Sequence, residues 1–79
     1  MDRTQRVLKY WDENGDEFVG GKWSPDDILL GTLTAALDIP EDEAKAIVAE
    51  HGDAFFILGE DGDNDGLAEF VVGISGVGV

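Results

Sequence analysis

Carboxylates outnumber cationic side chains by more than three to one in this chain. Eighteen aspartates and glutamates stand against five lysines and arginines, for a net charge of −13 at pH 7. A folded form must gather those charges into a small volume, and their mutual repulsion opposes it in dilute salt. The opposition weakens as the screening length falls from about 10 Å at 0.1 M to about 3 Å at 1 M. No cysteine is present to staple the fold or to hold a metal through thiolate. A chain this short buries only about 60% of its unfolded surface, so its apolar residues, 43% of the total, must supply nearly all the cohesion. That fraction is ordinary for a globular domain and too high for a disordered acidic chain. One domain over residues 1–79 is expected.

Such a surface fits adaptation to a salt-rich cytoplasm, in keeping with only three lysines, Lys9, Lys22 and Lys45. It also fits an acidic decoy that imitates nucleic acid, or a face that meets a basic partner. It suits direct nucleic-acid binding poorly, because counterion release needs cations facing phosphates. No apolar run approaches the roughly 18 residues of a membrane span, and the opening MDRTQR lacks the apolar stretch of an export signal. A soluble cytoplasmic protein with no membrane partner is expected.

Local signals divide the chain. Asp2 can cap a helix and Gln5 can close the box from three residues on. Val7, Leu8 and Trp11 then form a helical stripe, and Asn14-Gly15 offers a stop. These place a first helix over about 3–13. A hairpin of VLKYW and EFVGGKW around DENGD competes, but the cap and the stripe favour the helix. Residues 17–23, EFVGGKW, read as a short strand. Ser24-Pro25-Asp26-Asp27 is a strong helix start: a serine cap, a proline suited to the first position, and two carboxylates at the positive end of the dipole. Those aspartates read as capping residues rather than an acid/base pair. Ile28, Leu29, Leu30, Leu33, Ala36 and Leu37 carry that helix to about 37. After the tight Asp38-Ile39-Pro40 link, Ala44, Ile47 and Val48 mark a third helix over about 41–51, ended by His51-Gly52. The single histidine reads as a helix-end residue, not a base or ligand. AFFIL and LAEFVVGI, rich in aromatic and β-branched residues, read as a hairpin of strands over about 54–59 and 67–74. The fold class expected is therefore α+β.

The hairpin tip, DGDNDG, is where metal chemistry would sit. Counting from Asp61, carboxylates at Asp61, Asp63 and Asp65 alternate, Gly66 fills the sixth place and Glu69 the ninth, as in the first part of a calcium loop. The twelfth place is Val72, so the bidentate ligand of an EF-hand is missing. The short pattern also resembles the calcium loops of integrin-type β-propeller repeats. A polar turn is the competing account, since Asp, Asn and Gly favour turns without any ion. Asp12, Asn14 and Asp16 form a second, poorer acidic loop.

The order of these elements resembles the winged helix-turn-helix superfamily over residues 3–74. RVLKYWDENGDEF matches a first helix and its exit, SPDDILLGTLTAALDIPEDEAKAIVAEHG the helix-turn-helix, and FFILGEDGDNDGLAEFVVGI the wing. The resemblance implies a three-helix winged-helix-like fold with DGDNDG at the wing tip. Two departures bear on activity. Asp38 replaces the usual glycine in the turn, and asparagine and aspartate are the side chains that best tolerate a left-handed conformation. The helix that would enter the major groove presents Glu41, Asp42, Glu43 and Glu50 with Lys45 its one cation, a set that phosphates repel.

No Ser/His/Asp spacing, phosphate-cradling loop or thiol nucleophile occurs, so an enzyme is the poorest fit. The function expected is a small non-enzymatic winged-helix-like interaction module adapted to high salt, binding another protein or itself. The alternatives are an acidic DNA mimic, a calcium-binding protein using the 61–69 loop, and a DNA-binding regulator. Trp11, Trp23, Phe55, Phe56 and Phe70 are expected in the core.

Overall fold

A computed structural model describes residues 2–60 and 62–76, and among them every regular element is helical. Helix α1 spans Arg3–Val19, α2 spans Pro25–Gly31 and runs into a π-turn at Thr32–Ala36, α3 spans Glu41–Glu60 and α4 spans Asn64–Ser75. The α+β expectation is therefore overturned. Residues 17–19 finish α1, 54–60 continue α3, and 67–74 lie inside α4.

The N-caps at Asp2 and Ser24 form as expected, but among the described residues no return bond from the Gln5 side chain closes the box at Asp2. The Asp2 carboxylate accepts from the Gln5 amide at 2.8 Å, and the Ser24 hydroxyl accepts from the Asp27 amide at 3.2 Å with Pro25 at the helix start. The stops are what moved. Asn14 does not break α1, because its side-chain amide donates back to the Tyr10 carbonyl at 2.8 Å, one helical turn earlier. Continuing the helix brings Phe18 onto Tyr10, with ring centroids 6.0 Å apart. Burial, with Glu17 adding its charge, pushes the Tyr10 phenol above its ordinary pKa. The chain turns only at Gly20-Gly21, where Gly21 takes a left-handed φ of 77°. A β-carbon at Gly15 would meet nothing within 4 Å. Gly15→Ala should therefore raise stability by about 0.5–1 kcal/mol, the helix-interior penalty of glycine. A thermal midpoint lowered by that change would place Gly15 in a turn instead.

In α2 the ladder loosens where threonine hydroxyls compete for carbonyls. Thr32 donates to the Ile28 carbonyl at 2.7 Å and Thr34 to the Leu30 carbonyl at 3.0 Å. The resulting π-turn points Thr32, Leu33 and Ala36 inward together. Its exit is fixed by Asp38, which adopts a left-handed φ of 57° and pairs with Arg6 at 2.6 Å, while the Ile39 amide returns to the Leu33 carbonyl. Asp38 thus takes the conformation its side chain tolerates.

Gly52 is no helix stop. It is buried under the start of α2, where a β-carbon would stand 2.6 Å from an Asp26 carboxylate oxygen. The inward stripe Ala44, Ile47, Val48 continues through His51 to Phe55 and Leu58 at the same period. His51 sits mid-helix with its ring nearly perpendicular to that of Phe70 of α4, centroids 6.3 Å apart. In α4, Leu67, Ala68 and Val71 are buried; a strand would have sent Ala68 to the face opposite Leu67 and Val71.

Val7 and Trp11 of α1, Leu29 and Leu33 of the α2 segment, Ala44 and Phe55 of α3, and Ala68 and Val71 of α4 share one core. A buried polar chain crosses it: the Trp11 indole donates to the Thr32 hydroxyl at 2.8 Å, which donates to the Ile28 carbonyl. Thr32→Val keeps the shape but leaves the indole without an acceptor. It should cost about 1–3 kcal/mol, read as a lowered thermal midpoint, and Thr32→Ser should recover most of it. An unchanged midpoint for Thr32→Val would show that this bond contributes nothing net.

Candidate functional site

The corner where α1 ends, α2 begins and α3 passes into α4 is not filled. It forms an open groove of about 440 Å³. Trp11 and Phe18 of α1 with Ile28 of α2 make one wall, and Phe55 and Leu67 make the floor toward α3 and α4. Val19 and Phe56 stand at the mouth, 89% and 48% exposed. Their exposure follows from the helices. A helix turns about 100° per residue, so with Phe55 turned inward and 4% exposed, Phe56 must face outward. Ile57, the next residue, is 61% exposed. Val19 is the last residue of α1, beyond the reach of the core. The expectation that Trp23 and Phe56 join the core is thus corrected. Trp23 lies on the α1–α2 connection, 44% exposed, beside Leu30 and Ile39 on another face, and Phe70 is only partly buried.

The groove has an acidic border. Glu60 lines it directly. An adjoining hollow of about 520 Å³ shares Trp11, Gly15, Val19 and Asn64 with it and adds Leu8, Asp12 and Asp16. Among the described residues, no lysine or arginine lines either part. The deeper part of this concave surface is lined mainly by apolar side chains. It suits the docking of apolar side chains, worth roughly 25 cal/mol per Å² of surface taken from water.

The sequence-predicted metal ligands are dispersed differently. Asp61 lies outside the described residues. Asp63 caps α4, its carboxylate accepting from the Gly66 amide at 3.1 Å. Asp65 falls in the first turn of α4 and Glu69 one turn later, both exposed. Among the described residues, no group of three or more His, Cys, Asp or Glu side chains converges to hold an ion. Asp12, Asn14 and Asp16 are not in a loop but lie within α1. Of the segment read as a wing, residues 55–60 end α3 and residues 64–74 lie in α4.

The groove residues were missed in the sequence because Phe55 and Phe56 read as neighbours in a strand. The available signal was the stripe from Ala44 to Leu58, which includes Phe55 and excludes Phe56. Among the described residues, no helix is long and apolar enough to cross a membrane. Compared with protein-family models, curated proteins and solved structures, the chain matches none.

Proposed function

We propose that this chain is a non-enzymatic interaction module, adapted to concentrated salt, that binds another protein through the groove at the α1–α3–α4 corner. The observation that carries it is the exposure of Val19 and Phe56, 89% and 48%, together at the mouth of one apolar groove. Single exposed apolar residues are unremarkable in soluble proteins, whereas adjacent ones rimming a concavity mark contact surfaces. Adaptation to salt is supported by the charge of −13 on a chain of 79 residues.

The paired variant Val19→Gln/Phe56→Gln separates binding from folding. Both sites are at the surface, so the thermal midpoint should shift only by the equivalent of about 1 kcal/mol. A partner captured by the unaltered protein and by a Lys45→Gln control should be lost by the groove variant. Equal capture by all three would place the contact elsewhere and contradict the proposal.

A further inference from the structure

We infer that the groove's occupant is a cationic amphipathic segment: apolar anchors on one face of a helix, lysines or arginines beside them. This rests on the groove being the contact surface and adds what it selects. The apolar part follows from Phe56 and Val19 at the mouth, which need apolar side chains to leave water. The cationic part follows from the border. Glu60 stands on the groove, Asp12 and Asp16 continue it, and among the described residues no basic side chain lines it to offset them. A segment whose flanks are basic finds partners at that border, and one whose flanks are acidic is repelled there.

A second copy of the chain is the poorer occupant. A two-fold contact brings each patch against itself, so Asp12, Asp16 and Glu60 would face their own counterparts, in chains each carrying −13. The opposite sign on the partner removes that repulsion and adds attraction at long range in dilute salt. In concentrated salt only pairs in near contact keep their effect, because screening extends over about 3 Å at 1 M. Affinity should therefore fall with salt but keep an apolar remainder.

The test uses two synthetic helical peptides with leucines at i, i+3, i+4 and i+7, one flanked by lysines and the other by glutamines. Binding is followed by amide and indole NMR shifts of the full chain at about 0.15 M and about 1 M KCl, with folding checked by circular dichroism. The lysine peptide should bind about tenfold more tightly at the lower salt, shifting Trp11, Gly15 and Gly59 first. Phe56→Gln, which leaves charge unaltered, should weaken it about tenfold. Asp12→Asn/Asp16→Asn/Glu60→Gln should bring the two peptides to similar affinity without abolishing either.

Equal binding of both peptides in the groove of the unaltered chain would overturn the cationic selectivity and leave the groove as a contact surface. Lysine-peptide shifts spread over the acidic surface and indifferent to Phe56→Gln would overturn the inference as mere charge attraction. Sedimentation showing a dimer that Phe56→Gln dissociates would replace the occupant with a second copy. If neither peptide shifts the groove and the chain stays monomeric, the proposed contact surface falls with the inference.

Discussion

Raising KCl from about 0.1 M to about 1 M should stabilise this protein by on the order of 3 kcal/mol. The net charge of −13 sits on a body whose radius of gyration is 11.3 Å. Treated as a sphere of about 15 Å in water, its self-repulsion falls from about 9 to about 4 kcal/mol over that range, while the looser unfolded chain loses about 2. Local pairs do little to reduce this. Lys9–Glu13 and Lys45–Glu41 are 3.9 and 3.8 Å apart on exposed surface, and Arg6–Asp38, closer at 2.6 Å, joins a partly buried arginine to an exposed aspartate; such pairs contribute at most about 1 kcal/mol each. For a domain of this size the gain corresponds to a midpoint rise of more than about 10 °C. The rise should be steepest at low salt and flatten as screening saturates, with NaCl equivalent to KCl. A midpoint insensitive to salt would remove the physical basis for the proposed adaptation.

The second large effect concerns the four residues Phe55 to Leu58. Alanine at each should give a large, small, small, intermediate series. Phe55→Ala empties a core position that is 4% exposed and should cost about 3–5 kcal/mol, much of the 5–10 kcal/mol on the order expected for such a domain. Phe56→Ala and Ile57→Ala act on outward residues and should each cost about 1 kcal/mol or less. Leu58, partly buried against the core, should fall between. Denaturant titration reads all four. The spacing matters more than the sizes, because a strand would pair Phe55 with Ile57, whereas a helix pairs Phe55 with Leu58. A large loss at Ile57 with little at Leu58 would contradict the helix.

The starts of α1 and α2 were legible because a cap is a local device. Asp2 and Ser24-Pro25 satisfy amides within three residues of themselves, and Asp38 needs only its own backbone to turn left-handed. Helix ends were not, because a glycine stops a helix only where nothing gains from continuing it. Gly15 is passed because Phe18 beyond it packs on Tyr10, and Gly52 because its missing β-carbon admits α2. Tertiary packing likewise outweighed the strand propensity of Phe, Val and Ile after residue 54. Asp63 shows the same confusion from the other side. Read as a turn or metal residue, it is an N-cap with Asp65 in the first turn, the same kind of start as Ser24. The groove needed all of these at once: α1 long enough to reach Val19, α3 long enough to turn Phe56 outward, and α4 starting at Asn64 beside them.

The continuity of α3 past Gly52 is what puts Phe55 inside, Phe56 at the surface and a groove between them. Backbone 13Cα chemical shifts in about 1 M KCl test it directly. Unbroken downfield displacement from random-coil values across 52–60 and again across 64–75 is the predicted result. Upfield displacement over 54–58 and 67–74, with cross-strand contacts between them, would restore the hairpin and abolish the groove.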